Sequence, residues 1–128
     1  MSEHDTAEHG ALHEAWAIQT RASTLGFDWD DVSGVLAKVH EEVGEVEAAL
    51  AEGKRIDAQR ELGDLLFAVV NLARFLEADP ETQLHDANAR FHRRFATLER
   101  MVAETGRAMR AHTLAELDVF WDRIKACE

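Results

Sequence analysis

Residues 41–66, EEVGEVEAALAEGKRIDAQRELGDLL, contain nearly the same acidic phrase twice, as Glu-Val-Gly-Glu at 42–45 and Glu-Leu-Gly-Asp at 61–64. In a helix, residues i and i+3 lie on one face with Cβ atoms about 5–6 Å apart. Glu42 therefore pairs with Glu45, and Glu61 pairs with Asp64. Each pair alone is typical of a solvated helix face, because 25 of the 128 residues are acidic.

The two pairs are placed symmetrically about Gly53, which lies in the turn signal EGKR between two apolar helical patterns. Glu45 and Glu61 are equidistant from this glycine, and so are Glu42 and Asp64. If the chain reverses here as an antiparallel hairpin, a rise of about 1.5 Å per residue brings both pairs to the same height. The symmetry predicts that four carboxylates meet across one helical interface.

The second pair lies on a helix with a mostly apolar circumference. A helical wheel places Glu61, Asp64 and Asn71 within a sector of about 80°, and leucine, valine and phenylalanine occupy much of the remainder. This pattern predicts a buried helix whose acidic sector faces an interior cleft. Convergent carboxylates repel each other unless they are protonated or bound to a cation. Hard oxygen ligands suit Mg²⁺, or Mn²⁺ in its place, so a metal site is predicted at Glu42, Glu45, Glu61 and Asp64.

Each acidic pair encloses a glycine, Gly44 or Gly63, that should cost its helix about 1 kcal/mol relative to alanine. Our hypothesis is that both glycines allow the two backbones to approach closely around the site. The pairs lack the Glu-x-x-His motif of ferritin-like di-iron bundles, which argues against redox iron chemistry.

The rest of the chain favours helices, because it is rich in Ala, Leu, Glu and Arg and has one proline. The patterns predict one all-α domain over residues 1–128, with residues 1–10 as a flexible N-terminal stretch. Five helices are expected: 11–24; from a cap at Asp30 or Asp31 to about Ala51; from about Asp57 to Ala78; from Pro80, capped by Asp79, to about Glu104; and a last one after a capping box at Thr113.

Charge and composition exclude several classes of function. The formal net charge of −11 repels nucleic-acid backbones and anionic membranes. The N-terminal stretch lacks a basic region followed by an apolar core, and no window is long and apolar enough to span a membrane. The single cysteine, Cys127, has no partner for an internal disulfide, which fits a reducing compartment. We expect a soluble, cytoplasmic protein that binds neither nucleic acid nor membrane.

Several other residues have spacing suited to a phosphorylated ligand, and each also has a structural explanation. Lys38 lies one turn before Glu42 and has either a phosphate or a carboxylate as its partner. Arg90 and Arg94 are one helical turn apart, and arginine forks match phosphate oxygens, although in an acidic protein they also pair routinely with glutamate. Trp121 and Lys125 repeat this spacing, with core packing as the commoner use of such a tryptophan. His9 and His13 have ligand-like spacing but no HExxH motif, so we assign them no metal.

Taken together, KVHEEVGEVEAAL, ELGDLLFAVVNLARFL and NARFHRRF resemble the MazG family of all-α nucleoside triphosphate pyrophosphohydrolases. The family hallmark, EExxE followed by ExxD, is matched by Glu41, Glu42, Glu45, Glu61 and Asp64. The likeness runs from about GFDWDD through FWDRIK and is most similar to the C-terminal, catalytic half of two-domain members, here standing alone.

The resemblance implies Mg²⁺-dependent hydrolysis of a nucleoside triphosphate to the monophosphate and pyrophosphate, by a helical bundle completed through homodimerisation. It implies metal binding by Glu42, Glu45, Glu61 and Asp64, and we expect Glu41 to orient or deprotonate the attacking water. Family positions around the nucleotide are matched by Lys38, Asn88, Arg90, Arg94, Trp121 and Lys125. Arg90 departs from the lysine expected in close relatives, which keeps charge but changes phosphate geometry.

Two alternatives stay open on the sequence. One is a specialised relative acting on another pyrophosphate-linked nucleotide, such as phosphoribosyl-ATP or a modified dNTP, because nothing in the sequence reads the base. The other is a helical dimerisation or regulatory module whose acidic cleft binds a cation or nucleotide without turnover.

Overall fold

A computed structural model describes residues 10–128 and shows helices without any strand across that range. The helices are α1 (Ala11–Thr24), α2 (Val32–Ala51), α3 (Arg55–Phe75), α4 (Pro80–Glu104) and α5 (Leu114–Ala126), with a short 3₁₀ turn at Met109–Ala111 before α5. The all-α prediction is confirmed. The flexible stretch predicted for residues 1–10 falls, except for Gly10, outside the described residues, as does His9. Within residues 10–128 no helix has the length and apolarity to cross a membrane.

Side-chain caps set three of the helix starts where the sequence predicts them. Asp31 accepts a 2.9 Å hydrogen bond from the backbone N–H of Ser33 at the start of α2. Asp79 accepts one of 3.2 Å from the backbone N–H of Thr82 at the start of α4. A reciprocal capping box at Thr113 opens α5. These bonds satisfy N–H groups that have no partner within the helix.

The bounds predicted for α3 are shifted towards the C-terminus by two or three residues. The helix begins at Arg55, directly after a tight turn in which Gly53 has a φ of 72° and the N–H of Lys54 bonds to the carbonyl of Ala49. It ends at Phe75, because Glu77 adopts a left-handed φ of 55° that a helix does not accommodate. The turn at Gly53 therefore joins α2 and α3 directly.

The chain divides into two compact units, the first ending at Gln83 and the second beginning at Leu84. In the first unit α2 packs along α3 as a hairpin, and α1 packs on α3. Small side chains make up most of the buried apolar set of this unit: Val35, Ala49, Ala58, Ala68 and Val70. Small residues allow helix axes to lie close together.

The prediction that α3 is buried nearly all round is wrong for the single chain. Leu62, Leu66, Phe67 and Val69 have between 43% and 52% of their surface exposed. Among the described residues of the first unit, only α1 and α2 pack on this helix, and they leave part of its apolar circumference exposed.

The second unit, Leu84 to Glu128, has its own small core. Leu98 and Val102 on α4 and Ile124 on α5 are buried, and half-buried side chains including Phe95, Phe120 and Trp121 pack around them. This unit carries five of the sequence-predicted substrate contacts.

Candidate functional site

Three carboxylates from the two acidic phrases converge between α2 and α3. Glu42, Glu61 and Asp64 each offer an oxygen atom, and these atoms lie within 4.8 Å of one another. The hairpin at Gly53 thus brings the two helices into the predicted register. Glu45 is exposed and lies outside this group of three, although its charge acts on Glu61. A metal-ligand role for Glu45 stays a prediction.

Glu42 is the most enclosed member of the group, with 7% of its surface exposed. Its Oε1 lies 3.2 Å from the ammonium nitrogen of Lys38, whereas its Oε2 is buried and has no hydrogen-bond partner among the described residues. A buried, unpaired carboxylate oxygen costs folding free energy unless a ligand satisfies it. An orphaned hard oxygen beside two further carboxylates fits a divalent cation.

The electrostatics of Glu61 report the crowding of negative charge. Loss of solvation is the largest cause that raises the pKa of Glu61, and the nearby carboxylates of Glu42, Asp64 and Glu45 raise it further. Each of these contributions opposes ionisation of Glu61 in the absence of a cation. The carboxylates of the cluster therefore repel one another, and a bound cation would relieve that repulsion.

Lys38 forms ion pairs with both Glu42 of the cluster and the neighbouring Glu41. Its ammonium nitrogen is 3.2 Å from Glu41 Oε2 as well as 3.2 Å from Glu42 Oε1. The hydrogen bonds with Glu41 and then Glu42 raise the pKa of Lys38, so it carries its positive charge at neutral pH. The structural alternative for Lys38, a salt bridge, is present in this structure. Contact of Lys38 with phosphate, and of Glu41 with water, stay predictions.

A cavity of about 680 Å³ in the first unit opens beside the carboxylates. Lys38, Glu42 and Asp64 line one part of it. Its other walls come from α1, the α1–α2 loop and α3, through Ile18, Gln19, Ala22, Phe27, Asp28, Trp29, Phe67, Ala68, Asn71 and Arg74. The presence of Asn71 agrees with the sector it shares with Asp64 on the helical wheel. Apolar walls with a few polar groups are typical of small-molecule sites.

A chain of polar contacts holds the α1–α2 loop against α3. Arg74 donates from its NH2 to Asp28 Oδ1 at 2.6 Å, and from Nε and NH2 to Asn71 Oδ1 at 3.0 and 2.9 Å. The hydrogen bond from Arg74 is the main reason that the pKa of Asp28 is lowered. Sequence analysis missed Asp28 and Arg74, because 46 residues separate them and no periodic pattern links them.

The hypothesis about the glycines of the acidic phrases is wrong. A Cβ atom added to Gly44 or to Gly63 would meet nothing within 4 Å, since both positions are exposed. The close approach occurs instead at Gly34, where a Cβ would lie 2.7 Å from Cε3 of Trp29. Gly34 makes room on α2 for the indole that forms part of the cavity wall.

The five remaining sequence-predicted residues lie in the second unit. Arg94 forms a two-pronged pair with Glu128, at 2.8 Å from Nε and 2.6 Å from NH2, which raises the pKa of Arg94 and lowers that of Glu128. This is the structural alternative considered for it. Trp121 is half-buried, with its ring centroid 5.5 Å from that of Phe91. The other three are exposed: Asn88, Arg90 and Lys125. Nucleotide contacts by these five residues stay predictions.

His13 contacts the residue that caps α4. Its Nε2 lies 3.4 Å from Asp79 Oδ1, which connects the start of α1 to the cap of α4. Among residues 10–128, the only group of three or more potential ligands close enough to share a metal ion is Glu42, Glu61 and Asp64.

Comparison with known proteins shows a match to one protein family and to named members of it. Residues 22–102 match the sequence profile described as MazG nucleotide pyrophosphohydrolase domain. The chain is 40% identical over 115 residues to a Thermotoga maritima protein named nucleoside triphosphate pyrophosphohydrolase/pyrophosphatase MazG, a match that covers 90% of this chain and 44% of the relative. It is 42% identical over 120 residues to the Escherichia coli nucleoside triphosphate pyrophosphohydrolase, covering 92% and 46%. The chain therefore spans less than half the length of these relatives.

Proposed function

Because this chain belongs to the MazG family of nucleotide pyrophosphohydrolase domains, we propose that it hydrolyses nucleoside triphosphates to the monophosphate and pyrophosphate with Mg²⁺. The observation that carries the proposal is the convergence of Glu42, Glu61 and Asp64 beside a largely apolar cavity. A hard cation neutralises both the carboxylates and the phosphates, and the apolar walls suit the rest of a nucleotide.

In this proposal Glu42, Glu61 and Asp64 hold the Mg²⁺, or Mn²⁺ in its place, with Glu45 completing the set. When bound, the ion polarises a phosphate and lowers the pKa of water. Glu41 orients the attacking water or accepts its proton. The water oxygen forms a bond to one phosphorus of the α–β linkage as the bond from that same phosphorus to the bridging oxygen breaks, and the products are the monophosphate and pyrophosphate. Glu42 would hold the cation in place of its present contact with Lys38, which would leave Lys38 to contact a phosphate oxygen.

We also propose that the exposed apolar face of the hairpin is the interface of a homodimer. Leu36, Val43 and Leu50 follow one another at seven-residue spacing on α2, and each has more than a third of its surface exposed. Leu62, Leu66 and Val69 form a second exposed stripe on α3, at i, i+4 and i+7. Exposed apolar stripes on both helices of one hairpin are typical of an association surface.

The further substrate contacts, the location and the partners are proposed from the family resemblance and the composition. Asn88, Arg90, Arg94, Trp121 and Lys125 are proposed substrate contacts from their family positions. A cytoplasmic location is proposed from the lone Cys127. The net charge of −11 supports a role without nucleic-acid or membrane partners.

The proposal is tested with purified protein and a panel of NTPs, dNTPs, modified dNTPs and phosphoribosyl-ATP, with Mg²⁺ and with EDTA. Metal-dependent release of pyrophosphate and monophosphate is expected from at least one of the ordinary triphosphates. Turnover of only a modified dNTP or phosphoribosyl-ATP would identify the specialised relative. Tight nucleotide binding without any product would identify a regulatory module.

A further inference from the structure

Gln19 on α1 carries a polar group that the proposed chemistry does not use. The residue is buried, with 6% of its surface exposed, and it lines the cavity. Its Nε2 donates a 2.8 Å hydrogen bond to the backbone carbonyl of Phe67 on α3. Its Oε1 is buried and has no hydrogen-bond partner among the described residues.

The orientation of this amide is dictated by its neighbour. A backbone carbonyl only accepts hydrogen bonds, so the atom that faces Phe67 must be the amide nitrogen. The oxygen is then fixed as the group that remains, and a buried acceptor is normally paired. Gln19 therefore presents an unused acceptor, and the partner it lacks is an N–H or O–H donor.

Asn71 supplies the opposite polarity on α3. Its Oδ1 accepts two hydrogen bonds from Arg74, which directs the amide nitrogen of Asn71 away as a donor. Arg74 is itself held by Asp28 at 2.6 Å. Asn71 also lines the cavity, so the two side-chain amides give its walls a fixed acceptor and a fixed donor.

The apolar walls of the same cavity suit a flat ring. Phe27, Trp29 and Phe67 line it together with Ile18 and Ala22. Aromatic side chains stack on every nucleobase, because each base has a π face. The edge of a base that enters such a cavity needs hydrogen-bonding partners in a mostly apolar setting.

Building on the proposed function, we propose that this cavity binds the nucleobase of the substrate and that Gln19 is a substrate-binding residue. Gln19 Oε1 accepts from an N–H on the Watson–Crick edge, and Asn71 donates to the adjacent ring nitrogen or carbonyl. Adenine and cytosine offer an amino group beside a ring nitrogen, whereas guanine and uracil offer a ring N–H beside a carbonyl. The pair therefore tolerates all four bases and rejects an edge that has no donor.

The test removes the donor from the ligand and the acceptor from the protein in turn. Pyrophosphate release is measured with Mg²⁺ for ATP and purine riboside triphosphate, which lacks the amino group, and for CTP and its counterpart without the 4-amino group. In the wild type, loss of the amino group should lower kcat/KM by roughly tenfold, which corresponds to about 1.4 kcal/mol. The loss should appear in KM, because the contact is remote from the bond that breaks.

Gln19→Met keeps the length of the side chain and removes the acceptor, together with the hydrogen bond to the Phe67 carbonyl. In this variant the nucleotides with and without the amino group should have equal kcat/KM within each pair. Both values should be near the wild-type value for the nucleotide that lacks the amino group. Thr20→Ala, at the exposed neighbour on α1, is the matched control and should keep the wild-type ratio. The same cost of amino loss in wild type and Gln19→Met would overturn the proposal.

A second measurement uses the wild type alone and needs no turnover. The side-chain amide resonances of Gln19 are followed during titration with α,β-methylene-ATP and with its analogue that lacks the amino group, both in the presence of Mg²⁺. A clearly larger shift with α,β-methylene-ATP supports the contact, whereas equal shifts, or bound nucleotide without any shift, overturn it. Absence of pyrophosphate release from every nucleotide would overturn the proposed function, and the titration would still decide the role of Gln19.

Discussion

Arg74 on α3 donates a 2.6 Å hydrogen bond to Asp28 in the α1–α2 loop, and the two side chains have only 15% and 22% of their surface exposed. The same guanidinium fixes Asn71, so one residue orders both the loop and a polar group of the cavity wall. The folded shape of the cavity depends on this contact between positions that are distant in the sequence.

Removal of the Asp28 charge should destabilise the protein in a way that depends on pH. We expect Asp28→Asn to lower the free energy of unfolding by about 1–2 kcal/mol at pH 7, since the bond to Arg74 is charge-assisted and partly shielded from water. Because the pKa of Asp28 is lowered from 3.8, the stabilisation is complete above that pH and is lost as pH falls through the folded-state value. Urea denaturation of both proteins at about pH 7, 4 and 3 measures the effect.

Asp30→Asn, in the same loop at an exposed position, serves as the control and should stay within about 0.5 kcal/mol of the wild type. A stability difference for Asp28→Asn that persists unchanged below pH 3.8 would contradict the assigned role of the charge.

Gly34 should tolerate no side chain without movement of Trp29. A Cβ at this position would lie 2.7 Å from the indole, so Gly34→Ala should displace the ring and raise KM for nucleotides several-fold. Gly44→Ala and Gly63→Ala are matched controls, because their Cβ atoms meet nothing within 4 Å. These controls should leave KM unchanged and stabilise their helices by about 0.5–1 kcal/mol each. Equal KM values for all three variants would show that Gly34 has no special part in shaping the cavity.

The crowded carboxylates should make the metal-free protein less stable than its neutralised variant. Loss of solvation and neighbouring charges raise the pKa of Glu61 above 4.5, so folding opposes its ionisation and stability falls as pH rises through the raised value. The double variant Glu61→Gln with Asp64→Asn should therefore have a higher Tm than the wild type in EDTA at pH 7. Excess Mg²⁺ should raise the Tm of the wild type by mass action and leave that of the variant unchanged. A variant less stable than the wild type in EDTA would contradict the repulsion.

The exposed stripes on α2 and α3 should hold two copies of the chain together. Light scattering of the wild type is expected to give the mass of a dimer, and Leu66→Glu, at a residue 52% exposed, should give a monomer with retained helicity. Glu47→Lys, at an exposed acidic residue of α2, is a control for charge change alone. A monomeric wild type at micromolar concentration would rule out this interface.

Local patterns predicted much of the fold because the physical causes are local. The caps at Asp31, Asp79 and Thr113 need only neighbouring residues, and the hairpin register follows from equal spacing on either side of Gly53. A helical wheel shows which face of α3 is apolar, but not whether the same chain or another copy covers it. For this reason the exposure of Leu62 and Leu66 was not predicted.

In the candidate site, too, features that depend on local spacing could be predicted, whereas those that depend on distant contacts could not. Glu42, Glu61 and Asp64 could be found from spacing, because their convergence needs only one hairpin. The cavity could not be found from spacing. Its walls come from α1, the α1–α2 loop and α3, and no periodic pattern in the sequence indicates the contacts among them. One signal was available in Gln19, a polar residue at helical spacing from the apolar Leu12, Ala15 and Trp16. The prediction of close backbone approach at Gly44 and Gly63 was wrong because a glycine can occupy a helix position for more than one structural reason.

The products released by the wild type and by Asp64→Asn test the proposed pyrophosphohydrolase activity and the role of the carboxylates. Incubation with each NTP and dNTP is followed by phosphorus NMR, with Mg²⁺ and with EDTA, after circular dichroism has shown that the variant is folded. We expect pyrophosphate and nucleoside monophosphate from the wild type with Mg²⁺ only. The rate of their release should fall by at least about 100-fold in the variant. Release of diphosphate and orthophosphate, turnover in EDTA, or full activity of folded Asp64→Asn would contradict it.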